Sequence, residues 1–538
     1  MSNNQKTEQN KEQLTDDVIR LGVDVGGTNT DAVLICGHHV LASTKQTTTD
    51  NIYQGIESAV TEVLQQAGLS SDKIDFCMIG TTQFTNAFVQ RRELNGVAII
   101  RLGSPTAKAL PPLTGWPQSM LDSFEQQVFM FPGGHHFNGA VNSEFSEASL
   151  DTVIDSILTN SLTSVAISSI FSPVNQEFEL RAKQYLQTHC PNISVSMSHE
   201  IGRVGIIERE NSTIMNASLA KLAERVVDAF ETSLTKLNIK APLYITQNDG
   251  TLMTANAVRQ FPVMTFASGP TNSMRGAAFL SGQQEAIVAD IGGTTTDIGM
   301  LIQGFPRESS MHVDIGGVRT NFRMPDIIAI GLGGGSICDP VKGTVGPQSV
   351  GYLLKEKAIS FGGDILTATD CALTRDPTFI HEAKPELVRL KAAQLTPINQ
   401  AINRLISQGI DEIKTSRVKV PLILVGGGHI LVHETPSGIS KIIRPQYAEV
   451  ANAIGASIGM VSGDIDQIFD YDELNRNESL QQAKDLATEA AIVAGAIPDT
   501  VSILDIQEMP LSYIKGQATR IRIRATGQLF LTSQRACS

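Results

Sequence analysis

The chain has 538 residues, 41% of them apolar, and a formal charge of −13. That length predicts two or three lobes with more than one core, and the acidic balance excludes the basic surface that a nucleic-acid partner needs. No apolar run reaches the length of a membrane span. The six cysteines include no C-x-x-C pair, so neither a disulfide scaffold nor a zinc site is expected, and a cytoplasmic setting is.

Residues 1–17 are polar and lack an apolar signal core, which predicts a disordered tail. Val18 to Asp24 reads as a strand, with Asp31 to Ile35 returning as its hairpin partner. Helical spacing covers 51–70, a buried strand 74–80, a short helix 81–92 and another buried strand 96–103. Residues 104–145 are rich in Pro and Gly and hold the single Trp116, which predicts an elaborated loop. Its adjacent His135 and His136 have no spaced partners and read as exposed loop residues, not metal ligands. Strand, helix and strand follow at 164–171, 175–190 and 193–198, and then one long helix over 210–237. "PLYITQNDGTLM", from Pro242, is a strand running into a turn. Strand, loop and strand occupy 285–301, and two strands run into glycine loops at 327–337 and 421–431. Further strands are expected at 502–511 and 518–527. The alternation predicts an α/β protein with some antiparallel hairpins.

One pattern occurs twice. "GVDVGGTNTDAVL" from Gly22 and "ADIGGTTTDIGML" from Ala289 align with Asp24 on Asp290, Gly26-Gly27-Thr28 on Gly292-Gly293-Thr294, and Thr30-Asp31 on Thr296-Asp297. A duplicated fold is the simplest cause. The glycines let the backbone turn sharply and approach an anion, successive amides can cradle phosphate oxygens, and the threonine hydroxyls of Thr28, Thr30, Thr294, Thr295 and Thr296 add donors. Asp24 and Asp290, each ending a strand, can hold Mg²⁺ or orient a nucleophile. Asp31 and Asp297 follow the turn and either share that work or bond to loop amides. Neither a Walker loop nor a dinucleotide fingerprint is present.

Paired loops of this kind resemble the two phosphate loops of the actin, sugar-kinase and heat-shock chaperone ATPase superfamily. The resemblance implies duplicated actin-like (ribonuclease H-like) lobes with a central nucleotide cleft, ATP with Mg²⁺ as cofactors, and a further glycine loop for adenosine. Gly426, Gly427 and Gly428 are preferred for that loop by chain order, and Gly331 to Ser336 is the rival. His429 beside it reads as a neighbour.

A narrower resemblance covers about residues 18–530. "IGTTQFTNAFVQRR", "VSMSHEIGRVGIIERENSTIMNA", "YITQNDGTLM", "ASGPTNSMRGA", "IGLGGGSI", "VGPQSVG", "RPQYAEVANAIGA" and "MPLSYIKGQATRIRIRATG" are similar, in order, to blocks of the hydantoinase/oxoprolinase A-type family. That family implies an ATP-dependent hydrolase that opens a hydantoin- or 5-oxoproline-like cyclic amide through carbonyl phosphorylation. Its alternatives are an ATP-binding regulatory or assembly protein, a small-molecule kinase, and a carboxylase subunit. Substrate contacts would come from Thr81, Thr82, Asn86, Ser268, Asn272 and Arg275, with Gly80, Glu208, Arg209, Asn216, Gly269 and Ser273 in the same blocks. Helix capping competes for Thr81 and Thr82, surface pairing for Glu208 and Arg209, and an ordinary helix-end role for Arg275. The expected lobes are 18–205 and 206–475, with a C-terminal helix and hairpin over 476–538. A homo-oligomer is expected, with a B-type partner subunit implied by the resemblance. Three departures stand out: Ile328 and Phe178 occupy places where the family pattern has histidine, and Asp249 one where longer members favour glycine.

Overall fold

The computed structural model describes residues 18–26, 29–47, 52–309, 312–472, 474–511 and 517–530. The expected tail at 1–17, Gly27, Thr28 and Cys537 lie outside the described residues.

The first sheet begins with β1 (Ile19–Val25), β2 (Asn29–Cys36) and β3 (His39–Thr47). β1 pairs antiparallel with β2, β2 antiparallel with β3, and β1 parallel with β4 (Phe76–Thr81). Leu21 to Val25 are buried without a break, as expected of a strand covered on both faces. A separate four-stranded parallel sheet follows, of β5 (Val97–Ser104), β6 (Gln126–Pro132), β7 (Ser164–Ser169) and β8 (Ser194–Met197), in the order β6-β5-β7-β8. The segment 104–145 is therefore not only loop: β6 pairs with β5 along its length. Trp116 is buried, donates from Nε1 to Asn211 Oδ1 at 2.8 Å and lies edge-on to Phe88. His135 is buried against the Phe178 ring with 4.5 Å between centroids, whereas His136 is exposed, so the exposed pair expected from sequence is half right.

The single helix expected over 210–237 is two helices, Ile206–Ser218 and Ala220–Lys236. Tertiary contacts break it. The Ser218 carbonyl accepts from the Asn95 amide at 2.9 Å and the Ala217 carbonyl from Asn95 Nδ2 at 2.9 Å. Both helices lead to β9 (Leu243–Thr246) and β10 (Thr251–Thr254). β9 joins the first sheet parallel to β4, and strands Met460–Asp470, Ala518–Gly527 and Ser502–Pro510 extend the sheet beyond β10. The first sheet thus draws on chain from both sides of residues 206 and 476.

The second sheet runs β13 (Phe305–Pro306), β12 (Thr296–Ile302), β11 (Ala286–Ile291), Val420–Val425, Ile439–Ile443. Its pairings are antiparallel, antiparallel, parallel and parallel. The run β3-β2-β1-β4-β9 has the same order and directions. Asp24 faces Asp31 across one hairpin and Asp290 faces Asp297 across the other. The molecule is a duplicated α/β fold of the actin-like ATPase type.

Two helices join the lobes, Ser268–Ser281 and Ala451–Ser457. They cross backbone to backbone. A Cβ at Gly276 would overlap the Ala451 carbonyl, and one at Gly455 the Asn272 carbonyl. The helix Ala392–Ile413, 22 residues long, covers the second sheet with Ile398, Ile402, Ile406 and Ile410.

Candidate nucleotide cleft

The two hairpin turns close alike. The Gly26 amide donates to the Asn29 carbonyl at 3.0 Å, and Gly292 to Thr295 at 2.9 Å. Both triple-glycine segments brace the second turn. Gly334 and Gly335 donate to the carbonyls of Gly292 and Gly293 at 2.9 and 2.7 Å, and Gly428 donates to Ile291 at 2.7 Å. His429 is a neighbour, its Nδ1 2.8 Å from the Gly426 carbonyl.

These elements surround one cavity of about 310 Å³. Asn29 and Lys45 come from the first hairpin and its edge strand, and Asp290, Gly292 and Gly293 from the second hairpin. Gly334 and Gly426 to Gly428 come from the two glycine segments, and Ser273 and Asn452 from the crossing helices. Gly427 has open space where its Cβ would stand. Thr30 and Thr296 are buried in the strands behind the turns, and Thr296 Oγ1 donates to the Leu332 carbonyl at 2.6 Å. Thr294 and Thr295 are exposed on the turn itself.

Behind this wall lie the aspartates. Asn452 Nδ2 donates to Asp24 Oδ2 at 2.9 Å and to Asp31 Oδ2 at 2.8 Å. Lys45 Nζ lies 2.6 Å from Asp31 Oδ2, so Asp31 is held by side chains and not by loop amides. Burial, then the charge of Asp31, pushes Asp24 up to about 6. Burial, then Asp290, pushes Asp297 up to about 7. Asp290 is also raised by burial, against a hydrogen bond from Ser273. Asp24 Oδ1 and Asp31 Oδ1 are buried without a hydrogen-bond partner among the described residues. Closely set, desolvated carboxylates with free oxygens fit a hard divalent cation. Mg²⁺ takes one or two carboxylates and fills its remaining sites with water and phosphate. Among the described residues no group of three or more His, Cys, Asp or Glu side chains is placed to hold a metal ion.

The residues expected at the substrate divide. Asn272 meets Asp24 over Gly80, where a Cβ would stand 2.5 Å from Asp24 Oδ1, and its Nδ2 donates to Thr246 Oγ1 at 3.0 Å. Ser268 Oγ donates to the Thr81 carbonyl at 3.0 Å, and Asn86 Nδ2 to Thr82 Oγ1 at 3.2 Å. The Thr82 side chain makes no cap bond to its helix, while Thr81 Oγ1 accepts from the Gln83 amide at 3.2 Å. Arg275 is turned elsewhere. Its Nη1 donates to the Gly304 carbonyl at 2.6 Å and its guanidinium sits 3.7 Å from the centre of the Phe305 ring. It is buried, which is not the position of an ordinary helix-end arginine. Arg209 and Asn216 are likewise buried and bonded to backbone carbonyls, and Glu208 pairs with Arg319 at 3.5 Å.

Lys45 and Asn452 escaped the sequence reading. Lys45 stands directly across from Asp31 on β3, so recognising that strand as the third of the meander would have exposed the pair. Asn452 carries no local signal, since its partners are more than 400 residues away.

Comparison with known proteins follows the same division of the chain. The hydantoinase/oxoprolinase N-terminal region matches residues 20–190, and the hydantoinase/oxoprolinase family model matches residues 209–377. Caprolactamase subunit alpha of Pseudomonas jessenii is 25% identical over 529 residues, covering 87% of this chain and 75% of that one. The acetophenone carboxylase gamma subunit of Aromatoleum aromaticum is 23% identical over 438 residues, covering 74% of this chain and 59% of its own length. Among solved structures, the ATP-dependent caprolactamase of Pseudomonas jessenii superposes with a TM-score of 0.74 at 19% identity, covering 95% of this chain and 88% of that one. A nucleotide-free acetone carboxylase does so with a TM-score of 0.65 at 16% identity and the same coverage. With residues 20–190 and 209–377 matched in order by the two models, and the fold shared over 95% of its length with the caprolactamase, this chain belongs to the hydantoinase/oxoprolinase family.

Proposed function

We propose that the chain is an ATP-dependent enzyme that opens a small cyclic amide after phosphorylation of its carbonyl oxygen. The observation that carries this reading is the convergence of both hairpins and a glycine loop on one cavity backed by buried aspartates. The amides of the two turns would bind the phosphate oxygens, Gly426 to Gly428 would lie against the nucleoside, and Asp24 and Asp290 would hold Mg²⁺. ATP bound there with Mg²⁺ would supply the phosphoryl group that activates the amide carbon toward water, so that the ring C–N bond breaks with its nitrogen protonated and phosphate leaves as the carboxylate is freed. Lys45 places a positive charge at the cavity wall, where it offsets charge gathering on phosphate. Asn452 holds Asp24 and Asp31 in one orientation. Thr82, Asn86 and Ser268 lie at the carboxyl end of β4, beside Asp24, where they would position the carbonyl.

The test is phosphate release and ring opening measured together on a panel of lactams and hydantoins. Stoichiometric coupling is expected, and Asp290→Ala should abolish it while the protein stays folded. Turnover that ignores the panel, or a fully active Asp290→Ala, overturns the reading.

A second reading, an ATP-using subunit of a ketone carboxylase, is favoured by Phe178 and Ile328. The first is packed among His135 and Phe145, and the second pairs with Ile298, so neither place supplies a proton-transfer group. Phosphate release with ketone and bicarbonate separates the two. Relatives named as subunits support a partner chain here, which co-purification would reveal. A cytoplasmic location is supported by the described cysteines, no two of which form a disulfide. Among the described residues no helix is long and apolar enough to cross a membrane.

A further inference from the structure

A second and larger cavity, of about 760 Å³, opens beside the cleft. One side is made by residues 172–176 and 199–204, which follow β7 and β8, and the other by the turn after β9 and one end of Met460–Asp470. β7 and β8 are parallel neighbours. The cavity thus lies off the carboxyl ends of their strands, where open parallel sheets take their ligands.

Glu179 and His199 form a pair on the first side. Glu179 is fully buried in the helix Glu177–His189. Its Oε1 accepts from the Ser169 amide at 2.8 Å and from Ser198 Oγ at 2.5 Å. Its Oε2 accepts from the His199 amide at 3.1 Å and lies 2.6 Å from His199 Nδ1. Arg209 Nε donates to Ser198 Oγ at 2.9 Å, which leaves the serine hydrogen for the carboxylate. Against burial, the hydrogen bond from His199 and the charge of Arg209 hold Glu179 below its ordinary value. An ionised carboxylate only accepts, so Nδ1 of the neutral ring carries the hydrogen and Nε2 keeps its lone pair. Nε2 makes no hydrogen bond to a described residue, and the ring lines the cavity. Ser172 is the one hydroxyl side chain among the described lining residues, and it is buried with its Oγ 3.0 Å from Ser198 Oγ. The pair therefore has no side-chain nucleophile to activate, and water is what its lone pair can reach. Phe178 takes a histidine out of this helix, but the next residue, Glu179, holds one from the neighbouring strand's end.

We propose that His199 is the general base and then the general acid of ring opening, with Glu179 as its positioning residue. The proposal rests on the cyclic-amide reading above and adds the groups that handle its protons. Nε2 takes a proton from water as the water oxygen bonds to the phosphorylated amide carbon. Glu179 stabilises the imidazolium so formed. Nε2 then gives that proton to the ring nitrogen as the C–N bond breaks and its electron pair stays on nitrogen. The remaining hydroxyl proton passes to solvent as its O–H pair becomes the C=O bond. The acyl phosphate left behind is hydrolysed by a second water to carboxylate and phosphate.

The experiment is single-turnover and steady-state kinetics of the full chain, with whatever subunit co-purifies, on ATP and the lactam and hydantoin panel. His199→Ala should cut ring opening by roughly 100- to 10,000-fold while first-turnover ADP formation stays within about threefold of wild type. Added imidazole should restore part of the lost rate, which a merely structural loss would not allow. Glu179→Gln should lower kcat with little change in KM, and His199→Ala decides alone if that variant does not fold. Ring opening in His199→Ala within about threefold of wild type overturns the proposal. So does a joint loss of ADP formation and ring opening that imidazole leaves unchanged. Nitrogen-15 spectra of histidine-labelled protein at alkaline pH read the ring without turnover. A bare Nε2 on His199 is expected, and hydrogen on Nε2 overturns the proposal. A wild type that opens no ring sinks the proposed function, and the nitrogen spectra then decide this inference by themselves.

Discussion

Gly426 leaves room for the Asp290 carboxylate as Gly80 does for Asp24: in each lobe the strand beside the aspartate gives up its side chain where the carboxyl turns toward the cleft. Gly426 also has φ of 79°, a conformation that costs an L-residue. Gly426→Ala should therefore lose about 2 kcal/mol or more in chemical denaturation and should weaken nucleotide binding by calorimetry. Gly80→Ala, which has no positive φ, should lose less stability.

Asn452→Ala should leave the buried Asp24 Oδ2 without its donor and Asp31 Oδ2 with Lys45 alone. A loss of about 1–3 kcal/mol is expected, seen as a lower urea midpoint with an unchanged slope. The rising limb of the turnover–pH profile should also move to higher pH, because Asn452 favours the charged form of Asp24.

The folded pKa values of Asp24 and Asp297, about 6 and about 7, lie above the ordinary aspartate value. A raised folded value means the native state holds its proton longer than the unfolded chain. These groups' contribution to stability is full below about 4 and is lost as pH rises through 6 and then 7. Thermal melts without nucleotide should fall from pH 5 to pH 8. Asp297→Asn should flatten that fall and raise the melting temperature at pH 8, with little change at pH 4.

Phe178→His restores the residue common in the family pattern but places it in an apolar pocket beside His135, Phe145 and the Arg181 guanidinium. The variant should lose about 2–4 kcal/mol of stability and should gain no ring-opening activity. A gain of activity would show that the histidine, not its surroundings, is what this chain lacks.

The doubled hairpins were readable in the sequence because each is local. A buried strand, a two-glycine turn and a returning strand lie within a dozen residues, and the repeat vouches for both. β3 was missed because "HVLASTKQT" is polar at alternate positions, as an edge strand should be, and so resembles loop. Lys45 went with it. The break at Leu219 is imposed by Asn95, and nothing in the helical pattern announces it. Pro397 disguises the longest helix, because it lies past the first turn, where it removes an amide that would otherwise donate within the helix. Arg275 shows the limit of reading roles from a shared block. Its neighbours Asn272 and Ser273 reach the aspartates, while a turn of helix carries Arg275 to the Gly304 carbonyl.

Where Gly276 meets Ala451 and Gly455 meets Asn272, the two halves touch main chain to main chain, with no space for even a methyl group. Such a joint cannot slide, because sliding would drive carbonyls into one another. It can swivel. An opening of the mouth that keeps these contacts must turn the two hairpins about this pin, with Asn452, between Ala451 and Gly455, at the pivot.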